Sequence, residues 1–339
     1  MDEVDIADFI LRSVVRHCAR WAKVRLNINA SHFSRLSPIK GNLPLLQSLE
    51  VRIADDFVLL DDLDIPKSLD CFSLAPRLRA VAIGNINATT DISTLPWGQI
   101  SDLKLHFFAS LDSTLDALRL ATQARSVTFS LCTLLDLLST AQNFTHTLNT
   151  LSIILDADSD PSRCFQVWTM PQLNCLRLSI CELHRVPRDT YNFDELPSFV
   201  QRSGCVITTL SLINLRLNEV ALQCLTCLAD LTLHEHRDDV KNLSLTSSFL
   251  QTVDHRPSSS EKKIDFRIHF PFSILLVSMV QSRWIPDDID AAEMGVDCLG
   301  VVKIQVFISG DPPIDQILRP LLAMKPRGLQ CTVSFDKLG

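Results

Sequence analysis

The sequence predicts an α/β solenoid built by stacking short strand-plus-connection units, and three observations predict it. A triplet of apolar residues recurs along most of the 339-residue chain, the stretches between triplets often carry helical periodicity, and an amphipathic segment precedes the first triplet. The triplet reads apolar-x-x-apolar-x-apolar. It occurs at Trp21/Val24/Leu26, Leu46/Leu49/Val51, Leu78/Val81/Ile83, Ile100/Leu103/Leu105 and Ala124/Val127/Phe129, then at Leu148/Leu151/Ile153, Leu173/Leu176/Leu178, Ile207/Leu210/Leu212 and Leu228/Leu231/Leu233. Its middle positions step by 25, 32, 22, 24, 24, 25, 34 and 21 residues. Leucine-rich repeats have periods of about 20–29 residues, so most steps fit and the two long ones imply insertions. The expected fold class is an irregular, leucine-rich-repeat-like solenoid of α/β type with an N-terminal capping helix.

The elements follow in order. Residues 1–20 read as the cap: Ile6, Phe9, Ile10, Val14, Cys18 and Trp21 share a helical face. Acidic residues open this segment and Arg12, Arg16 and Arg20 close it, which complements the helix dipole. Residues 21–253 form the repeats. In each, alternate residues such as Leu103 and Leu105 face a shared core while Lys104 and His106 face outward. Between strands, Leu111 to Ala121, Leu131 to Leu138 and Glu219 to Leu228 show helical periodicity. Residues 254–263 (DHRPSSSEKK) are a polar loop. Residues 264–339 resume the strand-helix alternation, with strands at Ile264–Phe270, Val302–Ile308 and Cys331–Phe335 and helices across 272–284 and 314–324.

Composition narrows the function classes. The 32 basic and 39 acidic residues leave a net charge of -7, which argues against a nucleic-acid binder, and a single Tyr with four Trp offers few stacking platforms. The longest apolar stretch, Phe270 to Val280, is far short of the roughly 20 residues a membrane span needs. The acidic N-terminus has no signal sequence, so the four N-x-S/T sequons (Asn29, Asn87, Asn143, Asn242) read as chance. Eleven cysteines, odd in number and set in apolar patterns, fit a reducing compartment, cytoplasmic or nuclear.

The chemical motifs fall away one by one. Asp156-Ala-Asp-Ser-Asp160 starts like a calcium loop, but Pro161 replaces its glycine and Val167 its bidentate glutamate, leaving an acidic loop. Cys224 and Cys227 form a lone C-x-x-C inside an apolar stretch and read as core. Cys175 and Cys181 lie about 20 Å apart along a strand, too far to share an ion with His184. His234 and His236 share a strand face and read as a solvated edge. Phosphate-binding, dinucleotide and nucleophile-elbow glycine motifs are missing from the sequence. No enzyme, cofactor or metal is expected. The acidic run Pro286–Glu293 reads as a solvated connection.

Several segments carry a resemblance. Ser37–Val51 (SPIKGNLPLLQSLEV), His17–Val24, Phe72–Val81, Leu95–Ile100 and Met279–Trp284 resemble segments of the F-box/leucine-rich-repeat proteins of mushroom-forming fungi, in order and spacing, from about residue 10 to the end. The resemblance implies the substrate-recognition region of a Skp–cullin–F-box ubiquitin ligase subunit, with a protein substrate as partner. An F-box itself is not evident: about twenty residues precede the first strand and none reads Leu-Pro-x-Glu-Ile/Leu. A Skp adaptor is expected as a partner only if an F-box is supplied, the chain being the repeat half alone or its gene start truncated.

The expected function is a protein-protein interaction module. Its alternatives are a repeat scaffold with no ubiquitin role and an enzyme with an unrecognised site. The expected recognition surface is the outward row of strand residues: Arg25, Asn27, Glu50, Arg52, Lys104, His106, Thr128, Ser152, Arg177, Ser179, Thr232 and His234. Arg52, Lys104, His106, Arg177 and His234 are the candidate partner-binding residues, suited to an acidic or polar partner.

Overall fold

A computed structural model describes residues 3–53, 68–84, 91–106, 111–131, 143–155, 161–180, 193–213, 215, 228–234, 262–269, 299–308, 319 and 330–337. The chain divides into two compact units, Met1–Ser159 and Asp160–Gly339.

The first unit opens with helix α1 (Glu3–Val15) and continues through strands β1 (Lys23–Ile28), β2 (Ser48–Ile53), β3 (Ala80–Gly84), β4 (Asp102–His106), helix α2 (Leu111–Leu120), β5 (Ser126–Leu131), the two-residue β6 (Phe144–Thr145) and β7 (Thr150–Leu155). Strands β1, β2, β3, β4, β5 and β7 lie side by side in chain order, all parallel. The middle residues of the sequence triplets, Val24, Leu49, Val81, Leu103, Val127 and Leu151, stand in one register row. One face of the sheet is core: Leu49, Val51, Val81, Ile83, Leu103, Leu105, Val127, Phe129, Leu151, Ile153 and Leu155 are all at most 1% exposed. Each such side chain contributes roughly 1.5–3 kcal/mol by leaving water.

Register is fixed at the starts of β2, β3, β4, β5 and β7. Gln47 and Ser48 both donate their backbone N–H to Ala22 O, at 2.8 and 3.2 Å, and Arg79 and Ala80 both donate to Gln47 O, at 2.9 and 3.0 Å. The same pairing runs on through Ser101 and Asp102 to Arg79 O, Arg125 and Ser126 to Ser101 O, and Asn149 and Thr150 to Arg125 O. A carbonyl has two lone pairs and can accept both donors. Turns on successive connections are tied as well: Gln99 Nε2 donates to Ala75 O at 2.6 Å, and Lys40 pairs with Asp70 at 2.7 Å.

The second unit holds α3 (Ser162–Val167), β8 (Trp168–Thr169), β9 (Cys175–Ile180), α4 (Glu195–Ser203), β10 (Thr209–Ile213), β11 (Asp230–His234), β12 (Lys262–His269), β13 (Leu299–Ile308) and β14 (Gln330–Lys337). Strands β9 to β14 are again parallel and in chain order, with Leu176, Leu210, Leu231, Ile264, Val302 and Cys331 in one row. Paired donation recurs, Thr208 and Thr209 to Asn174 O and Ala229 and Asp230 to Thr208 O. Helix α4 ends on Gly204, whose left-handed φ of 60° suits a residue without a Cβ. The Arg202 guanidinium donates to the carbonyls of Phe165 and Trp168, and Ser203 Oγ accepts from Met170 N at 2.9 Å, which fastens α4 to the segment before β9.

Two expectations are corrected. The fold is α/β with largely parallel strands and few helices, not a leucine-rich-repeat-like solenoid with a capping helix. The triplet pattern reports that alternate strand residues are buried, which any parallel strand with one covered face satisfies. It carries no information about the connections. Among the described residues these include the 3-10 segments Cys18–Arg20, Ala30–Ile39, Asp70–Phe72 and Trp97–Gln99 as well as helices. The cap fails on burial. Phe9, Ile10 and Val14, the heart of its expected apolar face, are 70%, 55% and 47% exposed, while α1 turns Val15 inward and meets the 30–39 segment.

The expected helix at 272–284 and the acidic runs 156–160 and 286–293 lie outside the described residues, as does most of 131–138, 219–228 and 314–324. Most of the 254–263 loop does too; its last two residues, Lys262 and Lys263, already belong to β12.

Candidate functional site

In the first unit the sheet face opposite the core is polar. Because side chains alternate along each strand, the residues between the buried ones form rows across it. One row runs Arg25, Glu50, Ala82, Lys104, Thr128, Ser152, and the next contains Asn27, Arg52, Gly84 and His106. Arg25, Asn27, Arg52 and Lys104 are exposed, and His106 is half-buried.

Charge on this face is unevenly compensated. Glu50 accepts from Arg25 Nε at 2.6 Å and from Arg52 Nε at 3.0 Å, so one carboxylate serves two guanidinium groups. Lys104 has no ion-pair partner among the described residues. Among the described residues of these two rows, three cations against one carboxylate leave an excess of two positive charges. Burial pushes the His106 imidazole below its usual pKa, the Arg52 and Lys104 cations push further the same way, and Glu50 opposes them. His106 is therefore neutral at pH 7, with Nδ1 3.5 Å from Ser130 Oγ.

Strand β3 shapes the surface. Its outward residues Ala80, Ala82 and Gly84 are small, so it forms a trough between the Glu50/Arg52 and Lys104/His106 side chains of its neighbours. A Cβ at Gly84 would stand 3.4 Å from Arg52 Cγ and 3.5 Å from His106 Cβ, showing how closely those two chains approach over it.

Of the candidate residues, Arg52, Lys104 and His106 are thus brought together on β2 and β4. Arg177 lies in the other unit, exposed on β9 and in register with Ser211. His234 ends β11 opposite Ile213 and Arg267. His236, Cys181, His184, Cys224 and Cys227 lie outside the described residues. Among the described residues no three His, Cys, Asp or Glu side chains gather as a metal site, and no helix is long and apolar enough to cross a membrane.

A second feature was not anticipated. Where β1, β2 and β3 begin, an open cleft of about 550 Å³ is lined by Lys23, Gln47, Ser48, Arg77, Arg79 and Ala80. The Arg77-Leu-Arg79 alternation around the buried Leu78 was the sequence signal for it, hidden because only the apolar position was read.

A scan against protein-family models found no match, and neither did a search of the curated proteins.

Proposed function

We propose that the protein is a protein-binding module whose first unit captures an acidic or polar partner on the open face of its parallel sheet. One observation carries the reading. Parallel sheets are ordinarily covered on both faces, yet here one side carries exposed Arg25, Asn27, Arg52 and Lys104 instead of a second core. The excess positive charge and the β3 trough supply complementarity for an extended acidic segment. Five cysteines among the described residues, Cys18, Cys71, Cys164, Cys175 and Cys205, are buried thiols, in keeping with a reducing cytoplasmic or nuclear setting. A role as substrate receptor of a Skp–cullin–F-box ligase is the finer proposal. It rests on the sequence resemblance alone, and co-purification of the full gene product with a Skp adaptor tests it.

The surface itself is tested by placing a photo-crosslinking residue at Ala82, in the trough, or at Leu120, an exposed position on α2. Adducts are expected at 82 and not at 120. They should fall at least tenfold when Arg52→Glu and Lys104→Glu are combined, with the melting temperature unchanged. Equal adducts at both positions, or adducts indifferent to the reversal, would remove this face from consideration.

A further inference from the structure

From the cleft at the start of β1–β3 we infer a second binding site, one for a phosphoryl group, at the strand-start end of the open face and one row before the residues that take the protein partner. Its lining is three cations, Lys23, Arg77 and Arg79, two neutral polar side chains, Gln47 and Ser48, and one methyl, Ala80. Its volume of about 550 Å³ falls in the range of small-ligand sites. Among the described residues no carboxylate lines it.

The three cations are also unpaired. Among the described residues none of them has a carboxylate partner, whereas Arg25 and Arg52, one and two rows further along the same strands, share Glu50. The carboxylate at the same level of the sheet, Asp102, stands in register with Ala80 and accepts from Ser101 Oγ at 2.7 Å instead. Like charges facing one concavity repel unless an anion sits between them, and a dianion with several acceptor oxygens suits two guanidinium groups, an ammonium, a hydroxyl and an amide together.

Part of this donor set is held in place beforehand. Arg79 Nη1 donates to the carbonyls of Leu78 and Gln99, at 3.4 and 3.3 Å, which fixes the guanidinium at the rim and leaves Nε and Nη2 for a ligand. The backbones of Gln47 and Arg79 are set by the paired donation at the starts of β2, β3 and β4. Lys23 and Ser48 stand side by side in register on β1 and β2. The site is therefore an oxyanion cradle assembled from three successive strand starts. The group it takes is a phosphate monoester or the free phosphate ion.

Calorimetric titration of the full chain with inorganic phosphate, O-phosphoserine and unmodified serine tests this. Phosphate and phosphoserine should bind saturably at one site and serine should not. Lys23→Gln combined with Arg77→Gln should weaken binding at least tenfold; both residues are exposed and unpaired, so a thermal melt should match the parent. Arg25→Gln combined with Lys104→Gln, on the sheet face, should leave the affinity unchanged, and this separates the cleft from the protein-binding surface. Tighter binding of phosphoserine assigns the site to a phosphorylated side chain, and equal binding assigns it to the free ion; both uphold it. Failure of both phosphates to saturate, or equal weakening by the two variant pairs, would overturn it.

Discussion

His146 is buried in the first unit, with its ring 5.8 Å from that of Phe144. Its Nε2 lies 3.0 Å from Ala121 O, and a carbonyl only accepts, so the proton sits on Nε2 and Nδ1 is left as a lone pair with no partner. Protonating Nδ1 would bury an N–H with no acceptor, a cost of about 1–3 kcal/mol. Burial accordingly holds the His146 pKa below 6.5, the Ala121 hydrogen bond only partly opposing it, and His106 is shifted the same way. The sign follows from the folded pKa lying below the unfolded one. Stability from these groups is complete above about pH 6.5 and is lost as pH falls through the folded values. Urea midpoints should therefore drop between pH 7.5 and 5. His146→Phe, though less stable at both values, should shrink that difference, and adding His106→Gln should shrink it further. An undiminished pH dependence in the double variant would contradict this account.

At the scale of elements, α1 and the strands make opposite predictions. The exposed face of α1 bears Phe9 and Ile10, so Phe9→Ser with Ile10→Ser should change unfolding free energy by no more than about 0.5 kcal/mol. Leu105 on β4 is fully buried, and Leu105→Ala should cost about 2–5 kcal/mol. Denaturant titration of both variants measures the contrast; a large loss at Phe9 and Ile10 would mean that the helix does cover a core. The difference explains what was legible in the sequence. Strand positions were, because a period of two with a buried side leaves a pattern such as Leu103/Leu105 whatever the connection does. Helix α2 was, because Leu115 and Leu118, with Ala121 just past its end, fall on one buried side. The orientation of α1 was not, since an apolar stripe does not say whether a partner face exists. Nor were the 3-10 connections, which are held by long-range bonds such as Gln99 to Ala75 that local periodicity cannot contain. For the site, Arg52, Lys104 and His106 were legible as outward positions of aligned triplets. The β3 trough and the Arg77/Arg79 cleft emerge only when three strands are laid side by side.

For the whole molecule, a net charge of -7 coexists with a positive patch on the first unit's open face. On the proposed reading the rest of the chain would repel an acidic partner while the patch would draw it in, so encounter would depend on local field rather than total charge. Association with immobilised polyglutamate should slow about tenfold or more between 0.05 and 0.5 M salt, because screening shortens the reach of that field. A rate indifferent to salt would mean that the patch takes no part in capture.

The carbonyl shared at the starts of β2 to β5, β7, β10 and β11 has one more consequence. It aligns each of these strands with its neighbour at their first residues, so the number of residues between strands is free to vary. Uneven gaps of 21 to 34 residues between triplets are then compatible with an unbroken register row in each unit. Over evolutionary time such a scaffold can gain or shed residues between strands while the side chains of the open face keep their places.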